Sequence, residues 1–333
     1  MKKIITALVA IMMCTSTVMA APKIPDHNGT DLGLFEIGTK KLNKAVKGYS
    51  DIFKRAGDQY GVDPNVIAAV CMQESGGINY QYYSDGTSRP AWGIMQIEHS
   101  NEKLFAKFGL ERTGTAWTLN DRLDPEKAVP YAAYLLSEAL YKYEYDYAKM
   151  LQSYNFGEIV LDRIIASAGD NWLNERKNAK NYVKNWPYSS YGDAKYIEHV
   201  LAYYSNNIDY VGAKVKLNGK LVKFSDQYPI IENGTTLVPI RAVSEMLDAT
   251  VGWEQARGIA FIEKGDKVIT LYTGTPNAYI NNELHELETN AVVVNNRTLV
   301  PLRFIAEAFD KEVIWHGENR MVELVDKGNI IAE

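Results

Sequence analysis

Cysteine is almost missing from this chain, whose 333 residues contain only Cys14 and Cys71. Cys14 falls in an N-terminal segment that reads as removable. Lys2 and Lys3 precede an apolar run from Ile4 to Met13, and Val18-Met19-Ala20 offers a small-residue cleavage site before Ala21. Residues 1–20 are therefore expected to be a secretory signal peptide, and the bulky Met13 argues against lipid attachment at Cys14. With Cys71 alone left, an intramolecular disulfide is excluded even for an exported chain. Stability has to come from a buried core, and the length suffices for two domains.

Histidine is scarce as well. His27, His99, His199, His285 and His316 are scattered, with no His or Cys pair at ligand spacing. Neither a metal site nor a Gly-rich phosphate loop is expected, and so no cofactor. Beyond the signal segment no apolar run is long enough to span a bilayer. Excess positive charge is also absent, with 36 basic against 41 acidic residues; without residues 1–20 the balance is 34 against 41, a net of −7. That disfavours nucleic acid or an anionic membrane as partner. Binding to an anionic wall would rest on shape and hydrogen bonds instead of bulk charge.

What is present divides the chain. Residues 21–48 have turn clusters and weak periodicity and read as an extended leader. Ser50 is a plausible N-cap, Ile52, Phe53, Ala56 and Tyr60 follow at helical spacing, and Gly61 stops that helix. Asp63-Pro64 restarts it, since Asp caps well and Pro suits the first helical position. Helical patterns return at 125–147, 148–155 and 194–204, so residues 49–205 read as a mostly α domain. Residues 206–213 read as a linker.

From 214 to 333 the composition turns to short β-branched runs, turn dipeptides and an internal repeat. The segment from Thr236 to Glu245 (TLVPIRAVSE) returns from Thr298 to Glu307 (TLVPLRFIAE), and Trp253 returns as Trp315 in the same register. Each copy reads as hairpin, strand, short helix and strand pair. One copy has too little apolar face to stand alone, so the two are expected to pack into one smaller α+β domain. Trp253 and Trp315 read as core anchors, and Arg241 and Arg303 as partners of Glu245, Glu307 or backbone carbonyls.

Along the helix from Pro64, Ile67, Val70, Cys71 and Glu74 share one apolar face, just before Gly76-Gly77. A carboxyl there is disfavoured as an anion by burial and by the negative end of the helix dipole. Both effects raise its pKa, as a general acid at a glycosidic oxygen requires. Cys71 beside it reads as buried packing, because a nucleophilic peptidase pair would need a histidine partner that the sequence does not offer.

Two later segments, Ala91-Trp92-Gly93-Ile94-Met95-Gln96-Ile97-Glu98 and Gln152-Ser153-Tyr154-Asn155, share an order with Glu74-Ser75. Over about residues 50–205 the chain thereby resembles the lysozyme-like lytic transglycosylases and goose-type lysozymes, which carry Glu-Ser, Gly-Leu-Met-Gln and Ala-Tyr-Asn in this order. Ile94 and Ser153 depart from that pattern, and the common Gly-Pro-Gly after Asn155 is lacking. The resemblance implies a lysozyme-like fold and a peptidoglycan-cleaving enzyme in which Glu74 is the general acid/base. It also implies that Ser75 orients Glu74 or touches the sugar, and that Gly93 lets backbone approach the glycan. Met95 and Gln96 would line the cleft, and Tyr154 and Asn155 would bond near Glu74 and the N-acetyl group. Trp92, with Tyr82 and Tyr83, is a candidate stacking platform.

A transglycosylase can work with Glu74 alone, whereas a hydrolase needs a second carboxylate, for which Glu98 and Asp85 are the candidates. A non-catalytic glycan-binding protein is the third reading, disfavoured by the intact Glu74-Ser75. The expected partner is the peptidoglycan glycan strand, and the expected location is outside the cell or in its wall. The Thr-Leu-Val-Pro repeats resemble the N-terminal, non-catalytic domain of copper amine oxidases, which implies no copper site but leaves room for a wall or protein partner.

Overall fold

The computed structural model describes residues 22–82, 91–254 and 256–328. The segment before the first long helix is folded against the domain and is not a free extended leader. Ile24, Leu32, Leu42 and Val46 are buried in the first core, the last of them on α1 (Lys44–Lys47). Asn43 caps α1 through Val46 N–H at 2.9 Å and donates its amide to the Gly76 carbonyl at 2.8 Å. α2 (Ser50–Tyr60) ends where Gly61 turns left-handed, and α3 (Pro64–Ser75) starts on an Asp63 cap with Pro64 first.

α3 does not show the single apolar stripe that its spacing suggests. Every residue from Pro64 to Cys71 is buried, because helices pack around it on several sides, and a helix enclosed all round belongs to the core. Only its last turn emerges, with Met72, Gln73 and Glu74 half-buried. Three short strands follow, β1 (Gln81–Tyr82), β2 (Ala91–Trp92) and β3 (Ile97–Glu98), paired antiparallel in that order. Then come α4 (Glu102–Thr113), α5 (Pro125–Lys142), α6 (Tyr147–Phe156), α7 (Glu158–Ala168), α8 (Trp172–Glu175) and α9 (Tyr196–Leu201). The break between α5 and α6 falls at Asp146, which caps α6 through Lys149 N–H.

α9 is clasped to α3 at both ends by a tyrosine hydroxyl on a carboxylate. Tyr204, just beyond α9, donates to Asp63 at 2.7 Å, and Tyr196, its first residue, donates to Glu74. The two helices therefore run antiparallel, and one contact sets the position of the Glu74 carboxyl. The connection to the second domain is pinned as well, since Asn65 accepts the N–H groups of Asn207 and Ile208 at 3.0 and 2.9 Å.

The second domain is strand-rich. Its first repeat holds β4 (Lys214–Leu217), β5 (Lys220–Leu221), β6 (Ile230–Glu232), β7 (Thr235–Pro239), α10 (Ile240–Met246), β8 (Thr250–Glu254) and β9 (Ile259–Lys264). After β10 (Lys267–Tyr272), the second holds β11 (Asn277–Ile280), β12 (Glu283–Glu286), β13 (Val292–Val294), β14 (Arg297–Pro301), α11 (Leu302–Ala308), β15 (Lys311–His316) and β16 (Met321–Asp326). The repeats exchange partners: β4–β5 joins β15–β16, with β4 parallel to β16, while β11–β12 joins β8–β9 through β10. A central sheet combines β6–β7 with β13–β14. No sheet closes from one copy alone, which is why a single repeat could not stand.

Trp253 and Trp315 are not core anchors, being 43% and 45% exposed. Each lies near the outer end of an edge strand, two residues beyond Val251 or Val313, which still pack on the core. The register puts each indole on the right face, but the core has ended there. Arg303 bridges Glu307 at 3.6 Å one helical turn on, whereas no such bridge joins Arg241 to Glu245 among the described residues. No helix among the described residues is long and apolar enough to cross a membrane.

Candidate active site

Glu74 sits in the last turn of α3, where Gly76 closes the helix in a left-handed conformation (φ 62°). Its Oε1 accepts the hydroxyl of Tyr196, 122 positions away in sequence and itself buried. Burial pushes the Glu74 carboxyl up to about 7; the Tyr196 bond pulls against that, and the charges of Glu98 and Asp193 add to it. Part of its surface still reaches solvent, so the acid is enclosed yet approachable.

The neighbouring motif residues mostly build the wall around this carboxyl. The Ser75 hydroxyl donates to the Ile94 carbonyl at 2.8 Å and accepts Gly77 N–H at 3.0 Å. It is buried and bonds neither Glu74 nor the space beside it, so its work is to fasten the 93–96 turn to the end of α3. Gly93 is needed for an internal reason: it has φ 77°, and a Cβ there would lie 1.9 Å from the Arg122 carbonyl oxygen. Met95 is fully buried in the core and lines no cleft with its side chain. Its carbonyl accepts the Tyr154 hydroxyl at 2.8 Å. Gln96 folds its amide back onto the Gly93 carbonyl at 2.7 Å.

Asn155 accepts Asp193 N–H at 2.6 Å, holding the loop that leads into α9 and so into Tyr196. Trp92 is 9% exposed and offers no open face for stacking, although its indole N–H has no partner among the described residues. Glu98 is exposed on β3 in register with Ala91, and Ser100 donates to it at 3.1 Å. Asp85 and Tyr83 lie outside the described residues, and of Tyr82 only the backbone is described.

Residues 51–177 match the family model of the transglycosylase SLT domain. The first domain is a transglycosylase SLT domain. The chain is accordingly an enzyme of the lytic transglycosylase type, whose substrate is peptidoglycan. Residues 216–324 match the copper amine oxidase N-terminal domain. Among solved structures, a protein described as similar to lipoprotein, NLP/P60 family, from Staphylococcus aureus is 16% identical. It covers 75% of this chain and 94% of its own, with a TM-score of 0.35, too low to carry an argument.

Two residues near the Glu74 carboxyl of the SLT domain, Tyr196 and Asp193, were not singled out by sequence reasoning. Asp193 pairs with His199 at 2.6 Å, and its carbonyl accepts the Gln152 amide at 3.0 Å. No local pattern links these positions to Glu74. Cys71 is buried, which pushes its thiol up to about 12 and leaves it inert as a nucleophile.

The Tyr196 hydroxyl holds the Glu74 carboxyl, and Tyr196→Phe tests what that bond contributes. The hydroxyl favours the ionised form of Glu74, so its loss should raise the Glu74 pKa further above 7. The alkaline limb of the pH–rate profile should move to higher pH, with a rate loss of about tenfold from the freed carboxyl. An unchanged profile would show that Tyr196 only packs.

Proposed function

We propose that the chain is a secreted lytic transglycosylase cleaving the β-1,4 bond between N-acetylmuramic acid and N-acetylglucosamine, with Glu74 as general acid and then base. The observation that carries this reading is the Glu74 carboxyl, enclosed at the end of α3, held by Tyr196 and keeping its proton to about pH 7. A carboxylic acid poised near neutrality can donate to the leaving glycosidic oxygen and then, as carboxylate, accept a proton. The N-acetyl carbonyl assists departure of the leaving sugar. The muramic acid's own hydroxyl then closes the ring, returning its proton to Glu74 and leaving an anhydro end.

A hydrolase reading is favoured by one observation, that the charge of exposed Glu98 reaches Glu74. In that reading Glu98 directs a water onto the glycan. The second domain would then serve to hold the enzyme at the wall or on a protein partner. The proposed signal peptide, residues 1–20, lies outside the described residues.

Digestion of purified peptidoglycan by the full chain, with mass spectrometry of the fragments, separates the readings. Anhydro-muramic ends are expected, and they should persist in Glu98→Gln. Reducing ends that vanish in Glu98→Gln would replace the transglycosylase reading by the hydrolase. Release of no fragments by the wild type would remove both.

A further inference from the structure

A cleft of about 500 Å³ opens where the two domains meet, between the end of α5 and the β4–β5 hairpin, and Glu74 is not part of it. Its lining gathers Lys142, Lys214, Lys216 and Lys220 against one carboxylate, Glu144. In a chain with net charge −5 this is a local reversal of sign. Lys142 is already neutralised by Glu158 at 2.9 Å and Asp162 at 2.7 Å. Lys216 and Lys220 form no ion pair among the described residues.

Lys214 is the least ordinary member, because it is only 5% exposed. Its ammonium donates to the Asp26 carbonyl at 2.7 Å and lies 4.5 Å from the centre of the Tyr145 ring. An ammonium has three donors, and the other two have no acceptor among the described residues. Asp26, whose charge acts on Lys214, is itself buried, which pushes its pKa up; its Oδ2 accepts the Tyr210 hydroxyl at 3.1 Å. Two-residue alternation along β4 puts Lys214 and Lys216 on one face. Burial pushes the Lys214 ammonium down to about 8, partly against the pull of Asp26, so an added anion would relieve a standing cost.

We propose that this interdomain cleft binds an oxyanion, a phosphate or carboxylate group carried on a larger molecule, with Lys214 and Lys216 as its ligands. Both lysines line a partly enclosed space, and a charged donor makes shorter and stronger hydrogen bonds than a neutral one. The cleft is lined from both domains, while both ligands lie on β4 of the second. It does not depend on the assignment of Glu74.

Calorimetric titration of the full chain with inorganic phosphate, and separately with succinate, at constant low ionic strength tests the site. Saturable binding is expected, weakened at least tenfold in Lys216→Gln and in Lys214→Met, and unchanged in Lys107→Gln, an exposed lysine on α4. Should Lys214→Met fail to fold, Lys216→Gln decides, since the Lys216 side chain makes no hydrogen bond or ion pair among the described residues. Binding of phosphate alone assigns a phosphate ligand, and binding of succinate alone assigns a carboxylate. No saturable binding of either anion, or an equal loss in Lys107→Gln, overturns the proposal.

Discussion

Glu74→Gln is expected to lose at least about a thousandfold of the peptidoglycan-cleaving rate while becoming the more stable protein above pH 7. On the proposed role of Glu74, the loss follows from removing the proton donor, since general acid–base catalysis contributes about 10²–10⁴-fold. The amide keeps the shape and can still accept the Tyr196 hydroxyl, so the fold should survive. The gain has its own physical cause. The folded-state pKa of Glu74 is raised from 4.5 to about 7, so whatever favours the protonated carboxyl is fully present below pH 4.5 and is lost as pH rises through about 7.

At pH 8 the wild type therefore carries an enclosed carboxylate that the variant does not. At about 1.4 kcal/mol per pH unit, the shift and the partial exposure of Glu74 suggest a difference of about 1–3 kcal/mol. Urea unfolding of both proteins at pH 5 and pH 8 measures it. A gap that widens with pH supports the buried acid, and a gap independent of pH would mean that Glu74 is solvated in the fold. Loss of activity for gain of stability is the signature of a strained functional group, not of a structural one.

Gly93→Ala is expected to destabilise the first domain by at least about 3 kcal/mol and to lower activity with it. Two penalties combine at this position. A left-handed φ of 77° costs an L-residue about 1–2 kcal/mol, and the new Cβ would lie 1.9 Å from the Arg122 carbonyl oxygen, a backbone atom that cannot rotate away. Gly114 provides the comparison, having φ 75° and nothing within 4 Å of a built Cβ. Gly114→Ala should therefore show the conformational part alone, about 1 kcal/mol.

The difference between the two variants isolates the contact with Arg122. Relief of that contact would move the 93–96 turn, and with it the Ile94 and Met95 carbonyls that Ser75 and Tyr154 grip. Activity should fall more steeply in Gly93→Ala than the loss of folded protein accounts for. Equal effects at both glycines would show that the turn has room to spare.

Much of the fold was legible because its signals are local. Gly61 and Asp63-Pro64 act within one helical turn, and the doubled Thr-Leu-Val-Pro segment announces two copies of one unit wherever they end up. The apolar spacing around Glu74 was equally local, and it took the 93–96 and Tyr154-Asn155 segments to make Glu74 the candidate acid. The partner exchange between the repeats was not legible, because hydrogen bonding between β4 and β16 depends on which of two similar strands arrives alongside.

The roles of the motif residues divide along the same line. Sequence placed Glu74, Ser75, the 93–96 turn and Tyr154-Asn155 in one neighbourhood. It could not distinguish a side chain aimed at substrate from one gripping a carbonyl, and Ser75, Met95 and Asn155 proved to be turned inward. Trp253 and Trp315 failed as core anchors for a related reason, since alternation sets the face of a strand but not how far the core extends beneath it.

The sequence by itself determined two domains, their order, and a carboxyl at the end of a helix with an apolar face, because helix starts, stops and repeats are written in neighbouring residues. Only the tertiary structure decided that Tyr196 holds that carboxyl and that burial brings it to about pH 7. Both depend on atoms brought together across 122 positions, and packing alone, with no periodicity to announce it, makes that contact.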